Sequence, residues 1–146
     1  MQLTRQADYA IRAVLYLAEH KSDQRITTAE VGREQRIPLT FLTKIMAQLS
    51  AAGLVHATRG SRGGITLARP AEDVSLLDIV EAIEGPVQLN ACASDPSSCP
   101  MGDTCRVQVV WCDAQADLVN RLKNTSFASL TQPPVSVPVS VSASPA

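Results

Sequence analysis

The sequence predicts a mainly α-helical protein with a small β-hairpin wing, arranged as a winged helix-turn-helix domain followed by a long C-terminal dimerisation helix. Two amphipathic helical patterns are separated by a break at residues 36–38, and a hairpin pattern rich in arginine and glycine follows at residues 54–68. A long apolar stripe then recurs at helical spacing over residues 104–123. The prediction depends on the order of these three patterns along the chain.

The composition indicates one domain with an extension, and the charge is unevenly distributed. Of the 146 residues, 45% are apolar but only 3% are aromatic, so we expect a core made mainly of Leu, Val, Ile and Ala. Residues 1–70 contain ten Lys/Arg and five Asp/Glu, whereas residues 71–146 contain three and nine, within a total net charge of −1. Only the basic first part is therefore expected to meet a polyanion.

The chain has no apolar run of about 18 residues, and its first ten residues are polar. We therefore expect no membrane partner and a cytoplasmic location. In that compartment clustered cysteines are more often ligands or redox groups than structural disulfides.

Residues 2–20 predict an amphipathic first helix with Thr4 as its N-cap. Asp8 is placed on its polar part. A carboxylate near a helix N-terminus is favoured by the helix dipole, so a solvated charge is one reading of Asp8.

A helix pair follows. The first runs from about Thr28 to Gln35, with Thr27 or Thr28 as cap and Glu30 placed to close its first turn. The second runs from Pro38 to about Ala52 and ends at Gly53. In a helix-turn-helix the second helix enters the major groove, but many helix pairs share this pattern. The residues placed on or near its outer face include Thr40, Phe41, Thr43 and Lys44.

Residues 54–58 and 65–68 have strand character. The six residues between them, 59–64, read Arg-Gly-Ser-Arg-Gly-Gly. Glycine lets the backbone approach a phosphate or enter a narrow groove, and Arg59 and Arg62 supply positive charge. The alternative is an ordinary tight turn with solvated arginines. Because the hairpin directly follows the helix pair, we predict that residues 1–70 form a winged helix-turn-helix DNA-binding domain.

Residues 71–131 are predicted to hold a short helix, a cysteine loop and the dimerisation helix. Ser75 caps a helix from Leu76 to Glu84, which Gly85 ends. The stripe of the long helix either crosses the core or pairs with its copy, and the dimer is favoured because helix-turn-helix readers bind two half-sites. Its members are Val107, Val110, Trp111, Ala114, Leu118 and Leu122. Residues 132–146 are rich in Pro, Ser and Val and predict a disordered tail.

All four cysteines lie between residues 92 and 112. Cys92, Cys99 and Cys105 are separated by six and five residues, in a loop of small and polar residues that has little to bury. Three thiolates at close spacing in such a loop indicate a candidate metal or cluster site. For Cys112 we favour a buried free cysteine over a ligand.

Three readings of this loop stay open. It is a cluster site, the reactive part of a cluster-free thiol regulator that forms disulfides on oxidation, or a zinc-stabilised structural or interaction module. An enzyme is disfavoured, and no small-molecule substrate is expected, because the chain has no nucleophile with a placed base and no phosphate loop. The glycines of residues 60–64 open a hairpin rather than a helix, so they are not a nucleotide fingerprint.

The chain resembles the Rrf-type winged-helix transcription regulators over about residues 1–130. The matching residues are Met1-Gln2-Leu3-Thr4, Asp8-Tyr9-Ala10, the segment from Leu49 to Gly53-Leu54-Val55, the wing 59–64, Leu67, Arg69-Pro70-Ala71, Asp78-Ile79-Val80 and the three loop cysteines. The resemblance implies a homodimer that crosses its long helices on operator DNA, with contacts from Thr40, Phe41, Thr43 and Arg59. It also implies an iron–sulfur cluster that is held by Cys92, Cys99 and Cys105 and reports iron supply, nitric oxide or redox state, with repression or activation as output.

The resemblance leaves the fourth ligand open. Some relatives have a His three residues after the third cysteine, where this chain has Gln108, a poor iron ligand, which disfavours a 2Fe-2S cluster of that kind. Other relatives use an Asp in the first helix of the partner subunit, where this chain has Asp8. Our hypothesis is a 4Fe-4S cluster with Asp8 from the partner subunit as an exchangeable ligand. Cys112 or an exogenous ligand is the reserve.

Overall fold

The computed structural model describes residues 2–133, which form seven α-helices, three short 3-10 turns and one two-stranded antiparallel sheet. The described order confirms the predicted fold class of a mainly helical chain with a small hairpin. In sequence the elements are α1 (Arg5–Glu19), α2 (Thr28–Gln35), α3 (Leu39–Ala51), β1 (Val55–Thr58), β2 (Gly64–Leu67), α4 (Leu76–Glu84), α5 (Ala91–Ser94), α6 (Gln108–Lys123) and α7 (Phe127–Leu130).

The predicted caps of the first two helices are present. Thr4 Oγ1 accepts a hydrogen bond of 3.2 Å from the Ala7 amide, and Thr27 Oγ1 accepts one of 3.1 Å from the Glu30 amide. Glu30, however, does not close the α2 cap with its side chain. Its carboxylate instead accepts a 3.1 Å hydrogen bond from the Tyr16 hydroxyl. Burial and this hydrogen bond raise the pKa of Tyr16 above its ordinary value. The contact joins α1 to α2.

The turn between α2 and α3 depends on one left-handed residue. Arg36 has φ +53°, and the next amide, that of Ile37, donates to the Gly32 carbonyl at 2.8 Å. A side chain at position 32 would place its Cβ 3.1 Å from the Ile37 carbonyl oxygen, so Gly32 permits the close approach. Pro38, which we predicted to be the first helical residue, lies one residue before α3 and caps it without a side-chain hydrogen bond.

The end of α3 follows the predicted glycine signal. Gly53 has φ +71°, its amide donates to Ser50, and the Leu54 amide donates to Leu49 at 2.9 Å. This pair of hydrogen bonds satisfies the last carbonyls of the helix and reverses the chain into β1. The sheet then pairs Val55 with Leu67 and continues in register to the other end of the hairpin.

One hydrophobic core holds α1, α3, α4, α7 and the base of the hairpin together. The fully buried side chains come from every one of these elements, and the largest of them is Phe127 of α7. The Phe127 amide donates to Val74 and the Leu76 amide donates to Thr125, both at 2.9 Å, so the chain returns from α6 to the start of α4. The core members include Ala10, Val14, Val31, Leu42, Ile45, Leu49, Ile65, Val74, Ile79 and Phe127.

The long helix differs from its prediction at its N-terminal end. It begins at Gln108, not near residue 104, so Cys105 precedes it and cannot share a helix face with Cys112. Its apolar stripe does not cross the core: Val107, Val110 and Trp111 are 50%, 59% and 41% exposed. Of the two readings of the stripe, the one that crosses the core is therefore excluded, because α6 lies beside α4 rather than through the domain. The dimerisation role and the division at residue 70 stay predictions.

The predicted disordered tail, residues 132–146, lies outside the described residues except for residues 132 and 133. Among residues 2–133, none of the helices has the length and apolar character that crossing a membrane requires.

Candidate DNA interface and cysteine loop

The outer surface of α3 carries the four residues that we predicted to face DNA. Thr40, Phe41, Thr43 and Lys44 are all exposed, while the opposite face of the helix is buried. Thr43 Oγ1 donates a 2.9 Å hydrogen bond to the Leu39 carbonyl within the helix. The hydroxyl proton of Thr43 is therefore already donated within the helix, and the side chain offers solvent an acceptor and a methyl group.

Phe41 also connects α3 to the first helix. Its ring meets the ring of Tyr9 edge to face, with centroids 6.0 Å apart and planes at 76°. Phe41 remains 46% exposed, so only part of the ring is used in this contact. A shift of α1 would therefore move the Phe41 ring at the exposed N-terminal turn of α3.

Thr43 and Arg59 line the same groove between α3 and the hairpin, which has a volume of about 680 Å³. The structure thus brings one predicted helix residue and one predicted wing residue together. Arg62 does not line this groove. It borders a smaller hollow of about 210 Å³ with Asp23 and Gln24. Thr40, Phe41 and Lys44 also lie outside the lining of the groove.

The sequence did not indicate that Arg25 and Thr28 would lie in this groove. Thr28, in the first turn of α2, and Arg25, which precedes it, line the same groove as Thr43. Arg25 was one of several charges in a polar turn, and no spacing marked it. The only sequence signal for Arg25 was its position shortly before α2, the capped helix that precedes α3.

Asp8 is an exposed carboxylate in the first turn of α1, with 61% of its side-chain surface accessible. Its Oδ2 lies 3.3 Å from Nε of Arg12, although the buried Nε–H makes no aligned hydrogen bond. An i, i+4 pair at this exposure is worth about 0.3–0.5 kcal/mol. Asp8 can therefore exchange Arg12 for another partner at little cost.

Arg12 itself is held by two further contacts. Its Nη1 donates a 3.1 Å hydrogen bond to the Gln35 carbonyl, at the end of α2. Its guanidinium carbon lies 5.0 Å from the centre of the Tyr9 ring. Arg12 thus connects Asp8 to the end of α2 through Gln35, and to α3 through the Tyr9 ring that contacts Phe41.

The cysteine segment has local structure but little burial. Asn90 caps α5, accepting hydrogen bonds from the Cys92 amide at 3.2 Å and the Cys92 thiol at 3.1 Å. Asp95 accepts from Ser97 in the next turn, and the Cys99 carbonyl accepts from the Gly102 amide at 3.0 Å. The described side chains from 91 to 107 include none that is buried, which agrees with a loop that has little packing of its own.

The four cysteines are free thiols of intermediate exposure. Over the described range, no three His, Cys, Asp or Glu side chains approach closely enough to hold a metal ion. Cys92, Cys99 and Cys105 therefore share a loop without converging on one point. The donor set suits an iron–sulfur cluster, because three thiols and a carboxylate are iron ligands. Binding one would order the loop around it.

Gln108 and Gln115 are polar residues of α6 beside this loop. Gln108 is only 9% exposed, its amide Nε2 has no hydrogen-bond partner, and its backbone amide donates to Cys105 at 3.3 Å. Gln115 accepts from the Leu89 amide at 3.1 Å and donates to the Ala93 carbonyl at 3.5 Å, so it spans Cys92. Gln115 was not anticipated, since its partners lie more than twenty residues earlier.

The sequence model of the Rrf2 family, described as an iron-dependent transcriptional regulator, matches residues 3–133. The chain belongs to the Rrf2 family. It is 31% identical over 133 residues to the protein rrf2 of Nitratidesulfovibrio vulgaris, which covers 89% of this chain and 87% of that protein. The family resemblance seen in the sequence is therefore confirmed.

Solved structures share the fold. The oxidized form of Staphylococcus aureus CymR has a TM-score of 0.71 at 23% identity, covering 92% of this chain and 98% of that one. T. potens IscR has a TM-score of 0.70 at 22% identity, covering 89% and 85%. These likenesses support the winged-helix architecture, and the family assignment makes this Rrf2 protein a transcriptional regulator rather than an enzyme.

Proposed function

We propose that this Rrf2 protein is a cytoplasmic, homodimeric, DNA-binding regulator that senses iron supply, nitric oxide or redox state through an iron–sulfur cluster. The cluster ligands are Cys92, Cys99 and Cys105, with Asp8 of the partner subunit as the fourth, and the cluster is of the 4Fe-4S type. The observation that carries the DNA-binding part is the shared groove of Thr43 and Arg59.

The groove suits duplex DNA because its two walls offer different chemistry. The wall from α3 offers Thr43, and the exposed face of the same helix carries Thr40 and Lys44 outside the groove lining, where base edges and phosphates of the major groove are within their reach. The wing offers Arg59 and a glycine-rich backbone to the phosphate backbone or the minor groove. Arg62, which borders the neighbouring hollow, adds a second positive charge to the hairpin tip.

A dimer is supported by the exposed stripe of α6. Val107, Val109, Val110 and Trp111 are large apolar residues that leave much of their surface in water within one chain. A cluster of such residues on one helix is typical of an association surface. Pairing α6 with its copy buries this stripe and places two α3 helices for two half-sites.

The exposed cysteine loop and the exposed Asp8 support the cluster. The three thiols carry no disulfide, and among residues 2–133 the Asp8 carboxylate is engaged only by Arg12 in a weak pair. When bound, an iron–sulfur cluster supplies a centre that reacts with oxidants and nitric oxide. The chain supplies the thiolates, the exchangeable carboxylate, and a loop whose order depends on occupancy.

The contacts of Arg12 and Tyr9 offer a route from that site to the DNA surface. When Asp8 turns to a partner's site, Arg12 loses its ion pair but keeps the Gln35 carbonyl. The freed guanidinium is then able to adjust over Tyr9, whose ring touches Phe41 of α3. Ligand exchange at Asp8 is in this way coupled to the position of α3, as a two-state dimer requires.

The test is the visible absorbance of anaerobically purified protein, with iron and acid-labile sulfide measured on the same sample. A broad visible band with about four iron atoms per subunit is the expected result. Selection of duplexes from a random library by the same sample tests the DNA-binding part. A colourless protein without iron, from cells with working cluster assembly, would overturn the cluster and leave the DNA-binding proposal standing.

A cluster-free thiol regulator is the second candidate. It is favoured by the separation of the described cysteines, which are free and gathered at no metal site, and by the likeness to an oxidized form of CymR. Mass spectrometry after mild oxidation would show an intramolecular disulfide among Cys92, Cys99 and Cys105, with a loss of two hydrogens and reversal by thiol. A zinc-stabilised module is the third, recognised by stoichiometric zinc in a colourless protein.

A further inference from the structure

Arg25 makes the one side-chain hydrogen bond to the tip of the hairpin found in the part of the chain that the structure describes. Its Nε donates to the Gly63 carbonyl at 2.6 Å, across 38 positions of sequence. The neighbouring residue reinforces this contact, because the Ile65 amide donates to the Ile26 carbonyl at 2.7 Å. Residues 25 and 26 therefore lie beside β2, which a single antiparallel bridge between Ile26 and Ile65 joins to them, and the side chain of Arg25 reaches from there to the tip.

The tip is shaped to present this carbonyl. The Gly63 amide donates to Gly60 at 2.8 Å, and Gly60 has φ +103°. A Cβ at position 63 would lie 2.2 Å from the Thr58 carbonyl oxygen, so only glycine permits the closure. A glycine-rich tip has few contacts of its own, and a charged donor on its last carbonyl is a strong restraint.

We propose that Arg25 is a positioning residue that fixes the direction of the wing and thereby holds Arg59 against the groove beside α3. Both residues line that groove, whereas Arg62 borders the hollow on the side of Asp23. Without the hydrogen bond the tip is free to swing, and Arg59 leaves its place relative to Thr43. The inference rests on the proposed function, because it assumes that the groove receives DNA.

Two substitutions separate positioning from charge. Arg25→Gln keeps an amide nitrogen at the same side-chain position as Nε but removes the charge. Arg25→Met places a methyl group at that position and removes both the donor and the charge. The two variants therefore differ in the hydrogen bond to Gly63 and share the loss of charge. Arg33→Gln is the control, since Arg33 is an exposed arginine of α2 that pairs with Glu34 and lies outside the groove lining.

The first readout needs no DNA. Hydrogen exchange of the amides at residues 59–64 is expected to rise roughly tenfold in Arg25→Met and to change little in Arg25→Gln and Arg33→Gln. Thermal unfolding of the whole chain tests whether Arg25→Met is folded; should it fail to fold, Arg25→Ala, which also removes the donor and the charge, takes its place. Equal exchange in all four proteins would overturn the proposal.

The second readout uses a duplex that wild type has selected from a random library. Arg25→Met is expected to bind this duplex roughly tenfold more weakly and to lose hydroxyl-radical protection at the wing, while Arg25→Gln keeps that protection. If Arg25 were only a phosphate contact, both variants would lose affinity equally and lower the salt slope by about one per site. That result would overturn the proposal, whereas a wild-type protein that selects no duplex would overturn the proposed function first.

Discussion

Nη1 of Arg12 donates a 3.1 Å hydrogen bond to the carbonyl oxygen of Gln35, which joins the middle of α1 to the last residue of α2. The same guanidinium lies beside Asp8 and over Tyr9. One side chain thus contacts the candidate fourth ligand, the helix-turn-helix turn and the ring that touches Phe41. We expect it to carry the signal between the sensing and reading parts.

Arg12→Met removes these polar contacts and keeps the apolar stem. The free energy of unfolding is expected to fall by about 1 kcal/mol, because one hydrogen bond to a charged donor is lost at a partly exposed site. More tellingly, DNA affinity should no longer differ between iron-loaded and iron-free protein. Urea unfolding and DNA titrations of both forms measure these effects. Arg5→Met, at an exposed position of the same helix, is the control, and an unchanged iron dependence in Arg12→Met would contradict the coupling route.

Asp8→Asn tests the fourth ligand with a nearly isosteric change. A neutral amide is a poorer ligand for iron than a carboxylate, so we expect the visible band to decay several times faster in air. The decay of absorbance after exposure to oxygen measures this. Asp23→Asn changes another exposed carboxylate, in the turn after α1, and should decay at the wild-type rate. Identical decay in all three proteins would mean that Asp8 is a solvated charge near the helix N-terminus and not a cluster ligand.

Cys99→Ser and Cys112→Ser separate the loop thiols from the helix thiol. Cys99 lies in the exposed loop, whereas Cys112 lies one turn into α6. We expect Cys99→Ser to lose iron and sulfide nearly completely and Cys112→Ser to retain them, because only the loop is able to fold around a ligand. Iron and sulfide assays on anaerobic samples decide the matter. Iron loss on removing the Cys112 thiol would instead make it the fourth ligand.

Arg36→Gly should stabilise the protein. A side chain at φ +53° is strained, and glycine adopts this conformation without that cost, so we expect a gain of about 1 kcal/mol. The midpoint of urea unfolding measures it. Arg33→Gly, three residues earlier inside α2, should lose about 1 kcal/mol because glycine weakens a helix interior. Equal effects of the two changes would show that Arg36 is not strained.

Val110→Glu tests the association surface of α6. Burying two carboxylates in a dimer is costly, so this change should shift the protein to monomer in sedimentation velocity. Asn120→Glu adds the same side chain at an exposed polar position nearer the end of the helix and is expected to leave the dimer intact. A dimer that withstands Val110→Glu would place the interface elsewhere.

Local signals in the sequence determined much of the fold. The Thr4 and Ser75 caps, the Gly53 stop and the glycine-rich hairpin are all where the residues indicated, because each depends on contacts within a few positions of the chain. The three cysteines were also identified as candidate ligands from their spacing, and Asp8 from the family resemblance, and the fold leaves all four exposed or half-buried.

Only the tertiary structure decided which distant residues meet. In the fold α6 begins after Cys105, and Phe127 is buried in the core. The Glu30 carboxylate accepts a hydrogen bond from the Tyr16 hydroxyl instead of closing the cap of α2. The fold also joins Arg25 to Gly63 and Arg12 to Gln35. Helix periods and turn signals describe a residue's near neighbours, whereas these contacts form between segments that packing brings together, so no spacing along the chain encodes them.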